Sequence, residues 1–251
     1  MTDRRGTLPL ESSDRYSRFL LIVDCDADHL FYAAMLLQRL EYNICTAKTA
    51  EEALEMISVA LPALVITEMN LTGMSGLDLA RSLKSNRHTA KVPVIAVTKN
   101  RTQAVEQECG QNGCVACIRK PMQAEELYRT VQSTIENTPR CAMRVLTRLA
   151  LTVNNIPLDC TKGECVSVLS EKGLYIRTLK PYPKQALISI QMIINDNNVS
   201  AEALVLSSHT FGEGPFKEPG MGLQFTRISS LALEVIRQYI KDEITRGIKP
   251  F

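Results

Sequence analysis

Residues 19–26 read Phe19-Leu20-Leu21-Ile22-Val23-Asp24-Cys25-Asp26. Five apolar residues without a polar break suit a strand buried on both faces. The pattern repeats outward from there. Residues 28–40 carry Leu30, Ala33, Ala34 and Leu37 at helical spacing. A short strand over 42–47 follows. Thr49 then caps a helix that runs to about residue 61, with Glu52 completing a capping box. Strands over 63–67, 92–97 and 115–118 alternate with helices over 77–83, 103–109 and 124–136. Five strand–helix units predict a doubly wound five-stranded parallel sheet, with ligand chemistry at the carboxyl ends of its strands.

Beyond residue 139 the period changes. Residues 146–153, 164–169, 174–178, 185–194, 199–207 and 222–225 read as strands separated by Gly, Pro, Asn and Asp. Asn195 to Asn198 form a hairpin loop between two long β-rich runs. Many short strands predict a small antiparallel β-barrel. A C-terminal helix from Ser229, its N-cap, to Arg246 brings Leu231, Val235, Ile236, Tyr239 and Ile240 into a stripe that covers the barrel. The expected organisation is a flexible N-terminus over 1–16, an α/β domain over 17–136, a short linker over 137–139 and a β-rich domain over 140–251.

Composition narrows the function. With 251 residues, 45% hydrophobic and 22% charged, the chain is an ordinary globular one. No apolar run spans a bilayer and the start lacks a signal-peptide core, so a cytoplasmic protein is expected. The first domain is mildly acidic and the second mildly basic, too weakly for nucleic acid. Eight cysteines read as reduced thiols. Cys114 and Cys117, with Cys160 and Cys165, offer four thiolates to zinc, but the second pair is too widely spaced and buried small hydrophobes are the expectation. His29, His88 and His209 lie on separate elements and read as structural or surface residues. No nucleophile–base pair supports an enzyme.

The text LIVDCDAD, LVITEMNLTGMSG, VPVIAVT and CIRKPM resembles a response-regulator receiver domain. The resemblance implies a phosphorylation pocket at Asp24, Asp26, Glu68, Thr98 and Lys120, with Lys120-Pro121 and the turn from Gly73 to Gly76 matching the family. Departures make the pocket degenerate. Glu68 stands where the family has the phosphoacceptor Asp, one methylene longer. Cys25 replaces the second acid of the pair, and a thiol is a poor Mg²⁺ ligand, so no metal cofactor is expected. Cys117 takes the place of the aromatic switch residue. A non-phosphorylated receiver is therefore expected. Either Glu68 reaches Lys120 and Thr98 as an acyl phosphate would, or it merely salt-bridges Lys120 in a docking module. The resemblance also implies a homodimer through the fourth and fifth helices.

Arg140-Cys-Ala-Met-Arg144, then Val168-Leu169-Ser170-Glu171-Lys172-Gly173, then Gly220-Met221-Gly222-Leu223-Gln224-Phe225 resemble a PilZ domain. That resemblance implies cyclic di-GMP as ligand, held by Arg140, Arg144, Ser170 and Gly173. Arginine forks clamp phosphates bidentately and stack on bases. Gly173 is expected to make the tight turn that lets backbone approach the ligand. Val168 replaces the family's Asp or Asn, a loss of about 1–3 kcal/mol, or roughly ten- to a hundredfold in affinity. The expected protein is a bacterial receiver–PilZ signalling protein and cyclic di-GMP effector. Its ligand would order the Arg140–Arg144 loop, and the short junction would carry the change. The alternative is an adaptor that has lost the ligand and binds only protein partners.

Overall fold

The computed structural model describes residues 19–136, 142–213 and 217–248. The expected flexible N-terminus over 1–16, the linker over 137–139 and Arg140 lie outside the described residues. The chain divides into two compact units, one of Met1–Arg140 with Gly247–Phe251 and one over Cys141–Arg246.

In the first unit the alternation of strands and helices is as the apolar runs predict. The strands are β1 (Phe19–Val23), β2 (Asn43–Ala47), β3 (Leu64–Glu68), β4 (Val94–Thr98) and β5 (Ala116–Arg119). They lie parallel in the order β2-β1-β3-β4-β5. The helices are α1 (Ala27–Arg39), α2 (Ala50–Val59), α3 (Gly76–Ser85), α4 (Gln103–Gln111) and α5 (Ala124–Ile135). Asp26, Thr49, Ser75 and Thr102 each cap a helix through a side-chain oxygen. Successive strand side chains point to opposite faces. On one face Leu21, Val23, Val65, Val94, Ala96 and Cys117 share a core with α2 and α3. Leu20, Ile22, Leu64, Ile66, Ile95 and Ile118 alternate with them and are equally buried. A sheet buried on both sides leaves its carboxyl ends as the place for polar chemistry.

The second unit is an antiparallel barrel of strands β6 (Arg144–Leu149), β7 (Leu151–Val153), β8 (Ile156–Pro157), β9 (Cys165–Ser170), β10 (Gly173–Arg177), β11 (Leu187–Ile194), β12 (Asn197–His209) and β13 (Gly220–Ile228), with a final helix α6 (Ser230–Thr245). The order is β6-β9-β10-β13-β12-β11-β7-β8. The run read as one strand over 146–153 breaks at Ala150. Its first half pairs with β9 and its second with β11. One bent segment thus joins both sides of the sheet. Val145, Leu169, Leu174, Leu223 and Val205 lie in a single register row and are buried inside.

Three local expectations change. The loop of four residues between β11 and β12 contracts to Asn195 and Asp196, at φ 46° and 63°, while Asn197 and Asn198 already pair with Ile194 and Ile193. A type I′ turn needs only two left-handed residues, and Asn and Asp tolerate that conformation. The covering stripe of α6 is Ala232, Ile236, Tyr239, Ile240 and Ile244, whereas Leu231 is 77% exposed, because it stands about 100° around the helix from Ala232, off that stripe. Gly173 is required for a different reason than a turn. A Cβ there would fall 2.0 Å from the Leu223 carbonyl oxygen of β13, so the residue permits a close strand approach.

Replacing Gly173 by Ala therefore forces β10 away from β13. The expected loss is about 1–3 kcal/mol of stability, the usual cost of overpacking. Chemical denaturation of the full chain checks it, and an unchanged midpoint would remove this account of Gly173.

Candidate functional site

Asp24 follows β1, Glu68 ends β3 and Lys120 follows β5, so the strand ends bring the three together. The strand order reverses beside β1, and in such sheets the crevice between β1 and β3 is where ligands bind. Gly76, at the start of α3, sits against the backbone of Glu68. A Cβ at that position would be 2.0 Å from the Glu68 carbonyl oxygen. The Gly73–Gly76 turn thereby packs against the end of β3.

The centre of the site is the Lys120 ammonium, which is nearly sealed from solvent. It donates to Asp24 Oδ2 at 2.6 Å and to His29 Nδ1 at 3.0 Å, and it pairs with Glu68 Oε2. An ammonium has three protons to give. Each has an acceptor here. With a cation at 3.0 Å, the His29 Nδ1 acts as acceptor, which places the ring proton on Nε2. Burial works against the lysine charge, but the Asp24 and Glu68 carboxylates outweigh it, and the net shift is above the ordinary value of 10.5.

The carboxylates are held from behind. Asp24 Oδ1 accepts from the Asp26 amide at 3.0 Å, and Glu68 Oε1 accepts from the Asn70 amide at 3.2 Å. Asp26 caps α1 through the amides of Asp28 and His29, which hold its carboxyl below the ordinary range. Thr98 is buried at the end of β4. Its hydroxyl accepts from the Asn100 amide at 3.3 Å and makes no hydrogen bond to Glu68. Glu68 thus makes one of the two contacts that an acyl-phosphate mimic would make. One oxygen of each buried acid holds the ammonium, and the side chain adjacent to Asp24 is the Cys25 thiol, a poor ligand for a hard divalent cation.

His29, expected to be a structural or surface residue, is buried and completes the lysine's coordination. Its position three residues after Asp26, in the first turn of α1, was the available signal. Cys117 and Cys114 behave as expected of buried thiols. Burial pushes Cys117 up to about 12 and Cys114 up to about 11. Among the described residues no group of three or more His, Cys, Asp or Glu side chains could hold a metal ion. Among them, too, no helix is long and apolar enough to cross a membrane.

On the barrel, the register places Arg144, Ser170 and Gly173 side by side on β6, β9 and β10. They occupy the face opposite to Val145, Leu169 and Leu174, that is, the outside. Arg144 is exposed. The Ser170 hydroxyl is buried and donates to the Gly173 carbonyl at 2.9 Å, which closes its own hairpin. Val168 lies on the same outer face, between Leu146 of β6 and Tyr175 of β10.

Residues 20–132 match the family model described as the response regulator receiver domain. The chain belongs to the response-regulator receiver family through this first unit. It is 30% identical over 98 residues to the polar-differentiation response regulator DivK of Brucella ovis, a match that covers 39% of this chain and 80% of that protein. DivK of Brucella anthropi is similar to the same extent. Among solved structures, the chain is similar to a putative response regulator from Chloroflexus aurantiacus J-10-fl, at 25% identity over 47% of this chain and 97% of that one, with a TM-score of 0.46. It is likewise similar to the chemotaxis protein CheY4 of Vibrio cholerae, at 23% identity over 47% and 98%, with a TM-score of 0.45.

Substituting Lys120 by Met leaves Asp24 and Glu68 buried without their cation. The expected loss is about 3–5 kcal/mol at neutral pH. The lysine value is raised in the folded state, so its contribution is complete below 10.5 and is lost as pH rises through the folded value. The stability gap between wild type and Lys120→Met should stay constant from about pH 7 to 9 and shrink only above the ordinary lysine range. Denaturant titrations across that range measure it.

Proposed function

We propose that this protein is a signalling protein whose receiver unit works without phosphorylation and whose barrel binds cyclic di-GMP on its outer face. The reading of the receiver rests on the filled coordination of Lys120. A phosphoryl group on Glu68 would have to take the ammonium from a carboxylate that already holds it, without the Mg²⁺ that phosphoryl transfer in this family uses. The unit then serves as a docking or dimerisation module in one standing state, and the chain acts by binding rather than catalysis.

The reading of the barrel rests on one observation, the side-by-side placement of Arg144, Ser170 and Gly173 on a single outer face. A guanidinium over a flat strand surface can clamp a phosphodiester and lay its plane on a purine. The Ser170 hydroxyl, which closes the hairpin, supports the shape of this face more than it contacts a ligand. Val168 adds apolar floor beside it. An adaptor without small-molecule binding is the second reading, favoured by Val168 standing buried where the resemblance implies an acid or amide.

Calorimetric titration of the full chain with cyclic di-GMP separates the two. Saturable heat that disappears in Arg144→Ala is expected. No heat at millimolar ligand would leave the adaptor. In parallel, acetyl phosphate with Mg²⁺ should add no phosphoryl mass to the intact protein.

A further inference from the structure

Resting on the reading of the barrel face just proposed, we infer that Gln224 reads the base of the ligand and that the site takes purine cyclic dinucleotides without strong preference for guanine. The register continues past Gly173. Ser170 pairs with Arg144 on one side and with Gly173 on the other, and Gly173 in turn pairs with Gln224 of β13. Arg144, Ser170, Gly173 and Gln224 therefore form one register row across four strands. Three strand spacings separate its ends, about 14 Å. With a long side chain at each end, this suits a nucleotide whose phosphate meets the guanidinium and whose base edge meets the amide. Gly173 presents no side chain between Ser170 and Gln224.

Three polar groups in or beside this row are engaged. Ser170 donates to Gly173, and Tyr175 donates to the Glu218 carbonyl at 3.3 Å. Glu171, at the tip of the β9–β10 hairpin, is paired with Arg237 at 2.8 Å. Leu146 and Val168 are apolar. Gln224 is exposed, and its amide makes no hydrogen bond among the described residues. It is the side chain of the row left to read a base.

Its chemistry determines what it can read. A carboxylate only accepts, so it selects the two adjacent N–H donors of guanine. An amide carries an acceptor and two donors and can turn over. It therefore meets guanine through its oxygen, and adenine, which offers an acceptor beside a donor, through both groups.

Calorimetry on the full chain with cyclic di-GMP and cyclic di-AMP tests this. In the wild type the two dissociation constants should lie within about tenfold. Gln224→Ala should weaken both by about tenfold. Gln224→Glu should retain the guanine ligand and lose the adenine one by at least about tenfold. Thermal unfolding of each variant shows that the barrel is intact. A wild type preferring guanine by more than tenfold, or a Gln224→Ala protein that binds both ligands like wild type, would overturn the inference while leaving the outer-face reading in place. A wild type that binds neither ligand would remove both.

Discussion

The receiver unit is organised around one buried ammonium. Lys120 lies among Asp24, Glu68 and His29, and these side chains come from the ends of β1, β3 and β5 and the first turn of α1. A buried cation is costly unless every proton finds an acceptor. Meeting that demand fixes the positions of the strand ends relative to one another. It also gives the extra methylene of Glu68 a physical meaning. The longer side chain ends on the lysine nitrogen, so the carboxylate supplies the negative partner itself.

The barrel obeys a different constraint, that of close-packed backbone. Gly173 lets β10 approach β13, and Gly220 does the same where a Cβ would strike Tyr175 and the Ile176 carbonyl. Tyr175 lies against Gly220 and Gly222 and stacks on His209, with ring centroids 6.3 Å apart. The glycines that resemble a ligand motif in the sequence thus have a structural duty first. The outer face inherits its flatness from them.

Much of this was legible in the residues. Continuous apolar runs such as Phe19–Val23 mark strands buried on both faces, and Thr49 and Ser229 mark helix starts through their side-chain oxygens. Asp24, Glu68 and Lys120 could be placed together because parallel sheets gather their chemistry at one end. What could not be read were relations across space. His29 looks like any histidine at helical spacing until Lys120 is beside it. Gln224 sits in a strand pattern that says only that it faces outward; its alignment with Arg144 depends on three successive registers. The role of Gly173 was misread because a glycine after a hairpin suggests a turn, while the close neighbour that demands it lies some fifty residues on.

The bend at Ala150 has a consequence for how the barrel is made. The segment that opens the second unit is also the one that closes it, since β6 bonds to β9 and β7 to β11. Emerging first from a ribosome, it waits for partners synthesised much later. Contacts so distant in sequence make a slow-folding topology. Until β11 arrives, β7 is a strand without its sheet and open to mispairing with a neighbouring chain. The first unit also pairs strands across a distance, Leu20 with Leu64, but its five strands are all synthesised before β6. The barrel therefore cannot close until its later strands are made, and in that interval nascent copies can mispair.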